Sequence, residues 1–479
     1  MELAIIFGFV VLATVVGLLA RQKGQEPNLE NWTVGGRSFG AVLVWVLVAG
    51  EVYTTFSFLG ASGWVYGRGA PAFYIITYIV LAYVFSYYLL PPVARLGKRY
   101  SLVTQADFFT RLYDSRALGV LVALVGIAFM IPYLQLQLTG LGLIVDVASG
   151  GAVSRSVAML IGFFLTAAFV YASGVRGNAW VAVIKDTMMI VALLIIGIGI
   201  PYYYFGGIGA MMDQVVERFG NYLVLPGNTP NLGVLWYMST SLLTALGFYM
   251  WPHLFSPAFT ARDEDSLRKN AIALPIYQLG LLFVFFVGFS ALLVIPNLED
   301  PDTSLLQIVN RTFPGWFMGF LGAAGAVTAM VPAAVMLLTA SSLFSKNVLQ
   351  QALMRNITDR GTAMVARYSV IVLTAIALFF TIVIPSSLVS LLLFGYNGVT
   401  QFLPGVVFAI LGWRVSPWAV GAGIVTGIGA TAFLMLGGLD PFFGINAGFV
   451  ALVLNFVVAG VLGVVLKGSR PAVPAGEET

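Results

Sequence analysis

Two carboxylates and one ammonium lie in this sequence where charge is expensive. Glu51 stands in the run Val48-Ala49-Gly50-Glu51-Val52-Tyr53-Thr54-Thr55-Phe56-Ser57-Phe58-Leu59-Gly60, and Lys185 and Asp186 stand side by side in Val183-Ile184-Lys185-Asp186-Thr187, both inside long apolar stretches. A charged side chain at the centre of a bilayer costs about 2.5–3.5 kcal/mol even on the lenient insertion scale, so these groups are expected to face an aqueous cavity or one another. A lysine can lose and regain its proton where an arginine cannot, so the chemistry on offer is reversible protonation. A third polar run, Ser239-Thr240-Ser241-Leu242-Leu243-Thr244-Ala245-Leu246-Gly247-Phe248-Tyr249-Met250-Trp251-Pro252-His253, ends on the only histidine of the chain. With no cysteine and no second histidine, thiolate and multi-histidine metal sites are excluded. The absence of an HExxH or G-x-S-x-G pattern, and of any soluble catalytic segment, argues against a membrane-embedded enzyme.

The elements that must position these residues are membrane spans. Of 479 residues, 59% are apolar and 9% are charged, against roughly 25% charged in a soluble domain. Runs long enough to cross a bilayer fall near 2–20, 39–64, 70–93, 117–149, 155–174, 178–203, 232–256, 271–296, 315–345, 366–384, 387–412, 416–437 and 443–467. The sequence is thus expected to be an all-α polytopic membrane protein of about thirteen transmembrane helices. The even-numbered connections carry only Arg68, Arg155, Arg218 and Arg311, and Lys185 is inside a span, so nineteen of the 24 basic residues fall on the opposite side, including the C-terminal end. That asymmetry predicts an outside N-terminus and a cytoplasmic C-terminus in the cell (inner) membrane. The +4 net charge is too small to suggest nucleic-acid binding.

Spans two and seven are five apart, and both are interrupted by glycine or proline within polar sequence. A five-span repeat, inverted in the membrane and opened each time by a discontinuous helix, binds substrate and ions where the helix ends and free backbone groups meet near the midplane. The alternative for this pair is two glycine-containing helices kinked for packing. On the repeat reading the chain divides into residues 1–33 (first span and inner loop), 34–203 (first repeat, spans two to six), 204–231 (outer loop), 232–415 (second repeat, spans seven to eleven), 416–467 (two C-terminal spans) and 468–479 (a disordered cytoplasmic tail). In the inner segment 94–116, Leu102, Phe108, Phe109 and Leu112 could share a helical face along the membrane surface, or form an ordinary loop helix.

Over residues 34–415 the chain resembles the sodium/solute symporter family. Val34-Gly35-Gly36-Arg37-Ser38 is similar to that family's entrance to the second span, Tyr171-Ala172-Ser173-Gly174 with Arg176 and Asp186 to its motif from span five into span six, Pro252-His253 to its Pro-His pair, and Gln401-Phe402-Leu403-Pro404 to its eleventh-span motif. Gly50-Glu51-Val52-Tyr53-Thr54, Lys185-Asp186 and Val331-Pro332-Ala333-Ala334 most resemble its bacterial monocarboxylate permease branch. The resemblance implies a LeuT-type core of five plus five inverted spans, alternating access, and cation-coupled uptake of a lactate-, pyruvate- or acetate-like acid.

In that family a sodium ion lies between two carbonyls of span two, matching Gly50 and Tyr53, and a carbonyl with two adjacent hydroxyls of span nine, matching Thr328, Val331 and Pro332. Both hydroxyls are missing here, and Lys185 stands where the family has a small polar residue. An ammonium could supply the missing positive charge, with Glu51 or Asp186 as its counter-ion, which slightly favours proton over sodium coupling. His253 fits a structural hydrogen bond better than a proton relay, and Asp146 a helix-end or gating role. The substrate pocket is expected to draw on Tyr53, Thr54, Thr55 and Ser57 of span two, Tyr133, Gln135 and Gln137 of span four, Thr244, Phe248 and Trp251 of span seven, and Tyr396 and Gln401 of span eleven. With no arginine at that depth, a carboxylate would be held by hydroxyls, amides and half-helix N-termini. The competing readings are a sodium-coupled symporter for proline, alanine, pantothenate or a sugar, and a passive channel. The expected partners are a small organic acid and membrane lipid, with no cofactor beyond the coupling cation, for a chain acting as a monomer.

Overall fold

The computed structural model describes residues 1–19, 45, 49–354 and 356–466. The basic residues Arg21, Lys23, Arg37, Arg355, Lys467 and Arg470, the run from Val34 to Ser38 and the tail 468–479 lie outside the described residues. Among those described the structure is helical, with a lone bridge between Phe442 and Ile445 and no strand. Nine helical stretches among the described residues are long and apolar enough to cross a membrane. Three shorter apolar helices, Glu2–Gly17, Arg155–Val170 and Val234–Met250, join them, and the interrupted second span completes the set that hydropathy anticipates. Spans five and six are carried by one helical element, Arg155–Phe205. At about 1.5 Å per residue it is far longer than the roughly 30 Å hydrocarbon layer, so the two passes join with no separate loop between them.

Span nine, Gly315–Ser342, is the central post, buried along its whole apolar window against spans one, four and six. Its small residues allow that approach: a Cβ on Gly322 would lie 2.6 Å from Ile6, and one on Gly325 would lie 2.7 Å from Ile144.

Both anticipated breaks are present. Span two is α-helical to Val52, leaves the helix at Tyr53 and Thr54, and resumes as a π turn, Phe56–Gly60, and a helix, Ala61–Arg68. Side chains replace the lost backbone partners: Ser57 Oγ accepts from the Thr54 N–H (2.9 Å) and donates to Val52 O (2.9 Å), while Thr54 Oγ1 accepts from the Phe56 N–H (3.1 Å). Span seven runs as Val234–Gly247, a 3-10 turn Phe248–Met250, an extended Trp251 (ψ 126°) and Pro252–Phe255. Pro252 has no N–H to offer the preceding turn and pushes Trp251 out of helical geometry.

The segment 94–116 does not lie on the membrane surface. It contains the helix Gln105–Leu112, whose Phe108, Phe109 and Leu112 are buried in the protein, with Phe108 edge-on to Phe255 and Phe109 against Phe402. Thr104 and Asp107 form a reciprocal cap at its start. Burial raises the Asp107 carboxyl, but the Lys346 ammonium at 2.7 Å, the Asn347 amide at 2.8 Å and the Val103 N–H outweigh it and hold the group below the ordinary carboxylate range.

On the face opposite this basic one, the connections are built rather than slack. The 204–231 connection holds a helix, Ile208–Phe219, and the acidic 297–314 connection a 3-10 turn, Pro301–Thr303, and a helix, Ser304–Thr312. They seat on span two where it has no side chain. A Cβ on Gly63 would meet Asp302 Oδ1 at 2.6 Å and Pro301 O at 2.9 Å; one on Gly69 would meet Tyr222 O at 2.3 Å, and one on Gly227 would meet Arg68 O at 2.1 Å.

Candidate functional site

The break in span two frees the carbonyls of Gly50 and Tyr53, and the Lys185 ammonium on span six donates to both, at 2.9 Å for Tyr53 O. Asp186 Oδ1 is 3.1 Å from the same nitrogen. The lysine side chain is 0% exposed and that of Asp186 7% exposed, so this is a buried ion pair completed by two backbone dipoles. Such a pair needs those extra hydrogen bonds, because the mutual attraction of two desolvated charges barely offsets their lost hydration. Of the two carboxylates expected as counter-ion, Asp186 forms the ion pair, while Glu51 feels the ammonium at longer range. Its Oε2 lies 3.9 Å from His253 Nε2, with both side chains buried. Asp186 stands beside the ammonium, whereas Glu51 projects from span two towards His253 of span seven. His253 has no hydrogen-bonding partner at either ring nitrogen among the described residues, so the expected structural hydrogen bond is not there. The Tyr133 and Trp251 rings pack on it at 5.5 and 5.7 Å. Thr328, on span nine, is buried with its hydroxyl unpartnered among the described residues.

Above this ionic layer runs a chain of aromatic rings. Tyr133 meets Trp251 at 5.0 Å, Trp251 meets Tyr396 at 5.4 Å, Tyr396 meets Tyr78 at 5.7 Å, and Tyr78 meets Phe248 at 6.4 Å. Edge and tilted contacts of this kind leave each ring with both a face and a polar tip to present. The structure thus brings together Tyr133, Phe248, Trp251 and Tyr396 from three separate spans. Thr55 ties span two to span four through its hydroxyl, which donates to Gln137 Oε1 at 2.9 Å. Tyr53 sits edge-on to Tyr277 at 4.7 Å and donates to its carbonyl.

Other anticipated pocket residues are occupied with the fold. Thr54 and Ser57 serve the span-two break, and the Thr54 side chain is also a hydrogen-bond partner of Tyr133 in the aromatic layer. Thr244 Oγ1 donates back to Thr240 O at 2.6 Å. Gln135 Nε2 bonds the span-ten carbonyl of Ile384 at 2.7 Å. The Gln401 side chain is engaged by Asn455 of span thirteen, whose Nδ2 donates to Gln401 Oε1 at 3.1 Å and to the Gln401 carbonyl at 2.8 Å. Asp146 lies 3.8 Å from Arg155 at the ends of spans four and five, a helix-end pairing. Tyr78, Tyr277 and Tyr83, the last edge-on to Phe248 at 5.9 Å, are not among the expected pocket residues; only Tyr74 and Tyr78, four apart on one face of span three, carry a signal in the sequence.

This layout of ion, breaks and aromatic layer can be compared with known proteins. The sodium:solute symporter family profile matches residues 32–427. The chain belongs to that family. It is 45% identical over 483 residues, covering 98% of both chains, to the Bacillus subtilis (strain 168) protein called uncharacterized symporter YhjB. It is 31% identical over 491 residues, again 98% of both, to the monocarboxylate transport permease protein of Rhizobium johnstonii. Its fold matches a Na+-coupled sialic acid symporter solved in a substrate-bound outward-open state, with a TM-score of 0.80 at 15% identity over 98% of this chain and 99% of the other. The architecture is therefore the LeuT-type fold, and the protein is an integral membrane symporter that couples a cation to a small solute. Its family and fold are those of transporters.

Proposed function

We propose that this symporter imports a small monocarboxylate, of the lactate, pyruvate or acetate kind, driven by protons. The observation that carries the reading is the Lys185 ammonium seated on the Gly50 and Tyr53 carbonyls, the pair that the family resemblance assigns to sodium. Val331 and Pro332 offer no oxygen-bearing side chains to rebuild a sodium shell. Lys185 and Asp186 then act as the coupling pair: the protonated ammonium holds the two halves of span two to span six, and loss of its proton frees them. Glu51 borders this layer, 3.9 Å from His253. The monocarboxylate reading draws on the 31% identical relative's name and on a layer of rings with no arginine in it, suited to a small anion held by amides, ring hydroxyls and the indole N–H. The membrane is the cell inner membrane, with the basic face inside.

The test is uptake of labelled lactate, pyruvate and acetate into proteoliposomes in sodium-free buffer under an imposed pH gradient. Accumulation there supports the reading. Strict dependence on sodium at every pH, or uptake of proline or a sugar with none of the three acids, overturns it.

A further inference from the structure

Asp302 is a buried acid far from the ionic layer, and its position joins three moving parts. It sits in the 3-10 turn Pro301–Thr303 and is 6% exposed. Its Oδ2 accepts from the Leu388 N–H at 2.9 Å, the first backbone donor of the span-eleven helix Leu388–Val399. That donor is one of those a helix leaves unsatisfied at its start, where negative charge is favoured. Its Oδ1 rests on the backbone of span two at Gly63, with room for no side chain between them. Beside it, Ser304 Oγ and Ser62 Oγ are 3.0 Å apart, tying the same loop to the same half of span two. Tyr66 adds a third tie, donating to Ile295 O at 2.9 Å and accepting from the Leu298 N–H at 2.8 Å.

Two charges bear on Asp302 in opposite directions. Asp300 in the same turn opposes its ionisation and Arg155, at the start of span five, favours it. Arg155 is itself shared with Asp300 at 3.1 Å and Asp146 of span four at 3.8 Å. Arg68, at the end of the span-two helix, is engaged by Thr229 at 2.8 Å. From span eleven the group facing Asp302 is the Leu388 amide, and from span two it is the uncharged Gly63. Burial pushes the Asp302 carboxyl up to about 7, so its proton exchanges near neutrality instead of at acid pH. An ionised acceptor makes the stronger hydrogen bond to an amide.

We propose that Asp302 is a proton-operated latch on the closed face of the transporter: ionised, it clamps the 301–304 turn and span two to the start of span eleven; protonated, it lets them part. The balance is simple. One proton from the solution on that face adds to Oδ2, the negative charge disappears, and the Leu388 N–H loses its charged acceptor. Span two is one of the two discontinuous helices and span eleven belongs to the second half of the core, so their separation opens this face in alternating access. Resting on the inward proton-driven reading above, acid on the outside would then open the gate through which proton and solute enter.

The test uses the chain's freedom from cysteine. Spin labels on exposed Glu299→Cys and Ser386→Cys report the distance between the loop and the start of span eleven, in full-length protein in liposomes. Between about pH 8 and about pH 5 a longer-distance population should grow at the expense of the short one, with its midpoint near that of Asp302. In Asp302→Asn the longer population should be present throughout and insensitive to pH. Asp302→Glu, which keeps the acid, should keep the pH response with a shifted midpoint, and it guards against misfolding of the first variant. A distance distribution that does not change with pH, or one whose response survives unaltered in Asp302→Asn, overturns the latch. No transport is measured, so a sodium-driven wild type would refute the proton-driven reading while leaving this result to stand on its own.

Discussion

Replacing Lys185 by alanine strands two kinds of group at once. Asp186 keeps a buried negative charge with no cation at 3.1 Å, and the carbonyls of Gly50 and Tyr53 lose their donor. Breaking a buried pair by removing one partner costs about 3–5 kcal/mol, and an unsatisfied buried carbonyl adds about 1–3 kcal/mol. The total is comparable to the whole stability of many proteins, about 5–15 kcal/mol, so Lys185→Ala alone is expected at low folded yield. Adding Asp186→Asn removes the stranded charge and should recover about 2–3 kcal/mol of that loss. The assay is thermal unfolding of wild type, Lys185→Ala, Asp186→Asn and the double variant in one detergent, followed by reconstitution of whichever variants fold. The double variant should be distinctly more stable than the sum of the two single losses predicts, yet unable to accumulate solute on a pH gradient. Lys185→Arg should fold and also fail to accumulate, because guanidinium does not give up its proton. Losses that simply add to within about 0.5 kcal/mol, or pH-driven accumulation by a folded protein without Lys185, would refute the argument.

Three further outcomes follow from the geometry. His253 is the sole histidine, so histidine-selective isotope labelling yields one pair of ring-nitrogen resonances; Glu51→Gln, 3.9 Å away, should displace them at constant pH, and unmoved signals would mean the two groups do not interact. Because Asp107 is held below the ordinary carboxylate range, its contribution is present above that ordinary value and is lost as pH falls through the depressed one. Asp107→Asn should therefore cost about 3–5 kcal/mol at neutral pH and flatten the acid limb of a stability-versus-pH curve. Single cysteines at exposed Asn228 and Asn356 should separate the faces: an impermeant thiol reagent on intact cells should label the first and spare the second, and the reverse would invert the assigned orientation.

Part of the ionic layer was legible. A lysine inside an apolar span requires acceptors, and the family resemblance assigned an ion site to the Gly50 and Tyr53 carbonyls, so Lys185 could be matched to them without coordinates. Which carboxylate would complete the set was not legible, since Glu51 and Asp186 differ only in where their helices point them. Tyr83 and Tyr277 were hidden because an aromatic residue in an apolar span carries no mark that separates packing from lining. Thr244 and Gln401 failed for the converse reason: a polar residue advertises a need for hydrogen bonds, and a carbonyl one turn back or a neighbouring span meets that need as well as a ligand. The burial of Phe108 and Phe109 depends on Phe255 and Phe402, residues far along the chain whose proximity no local periodicity contains.

The closed face also has a bearing on leakage. Where Gly63, Gly69 and Gly227 seat, the seal is largely main chain on main chain. Side chains flip between rotamers in picoseconds to nanoseconds, and a plug made of them opens transient gaps on that timescale. Backbone surfaces in direct contact have no such freedom; they separate only when whole segments shift, in microseconds to milliseconds. Stray ions and water would therefore slip past this face no more often than the transporter turns over, and a membrane energised by a proton gradient keeps its charge between cycles.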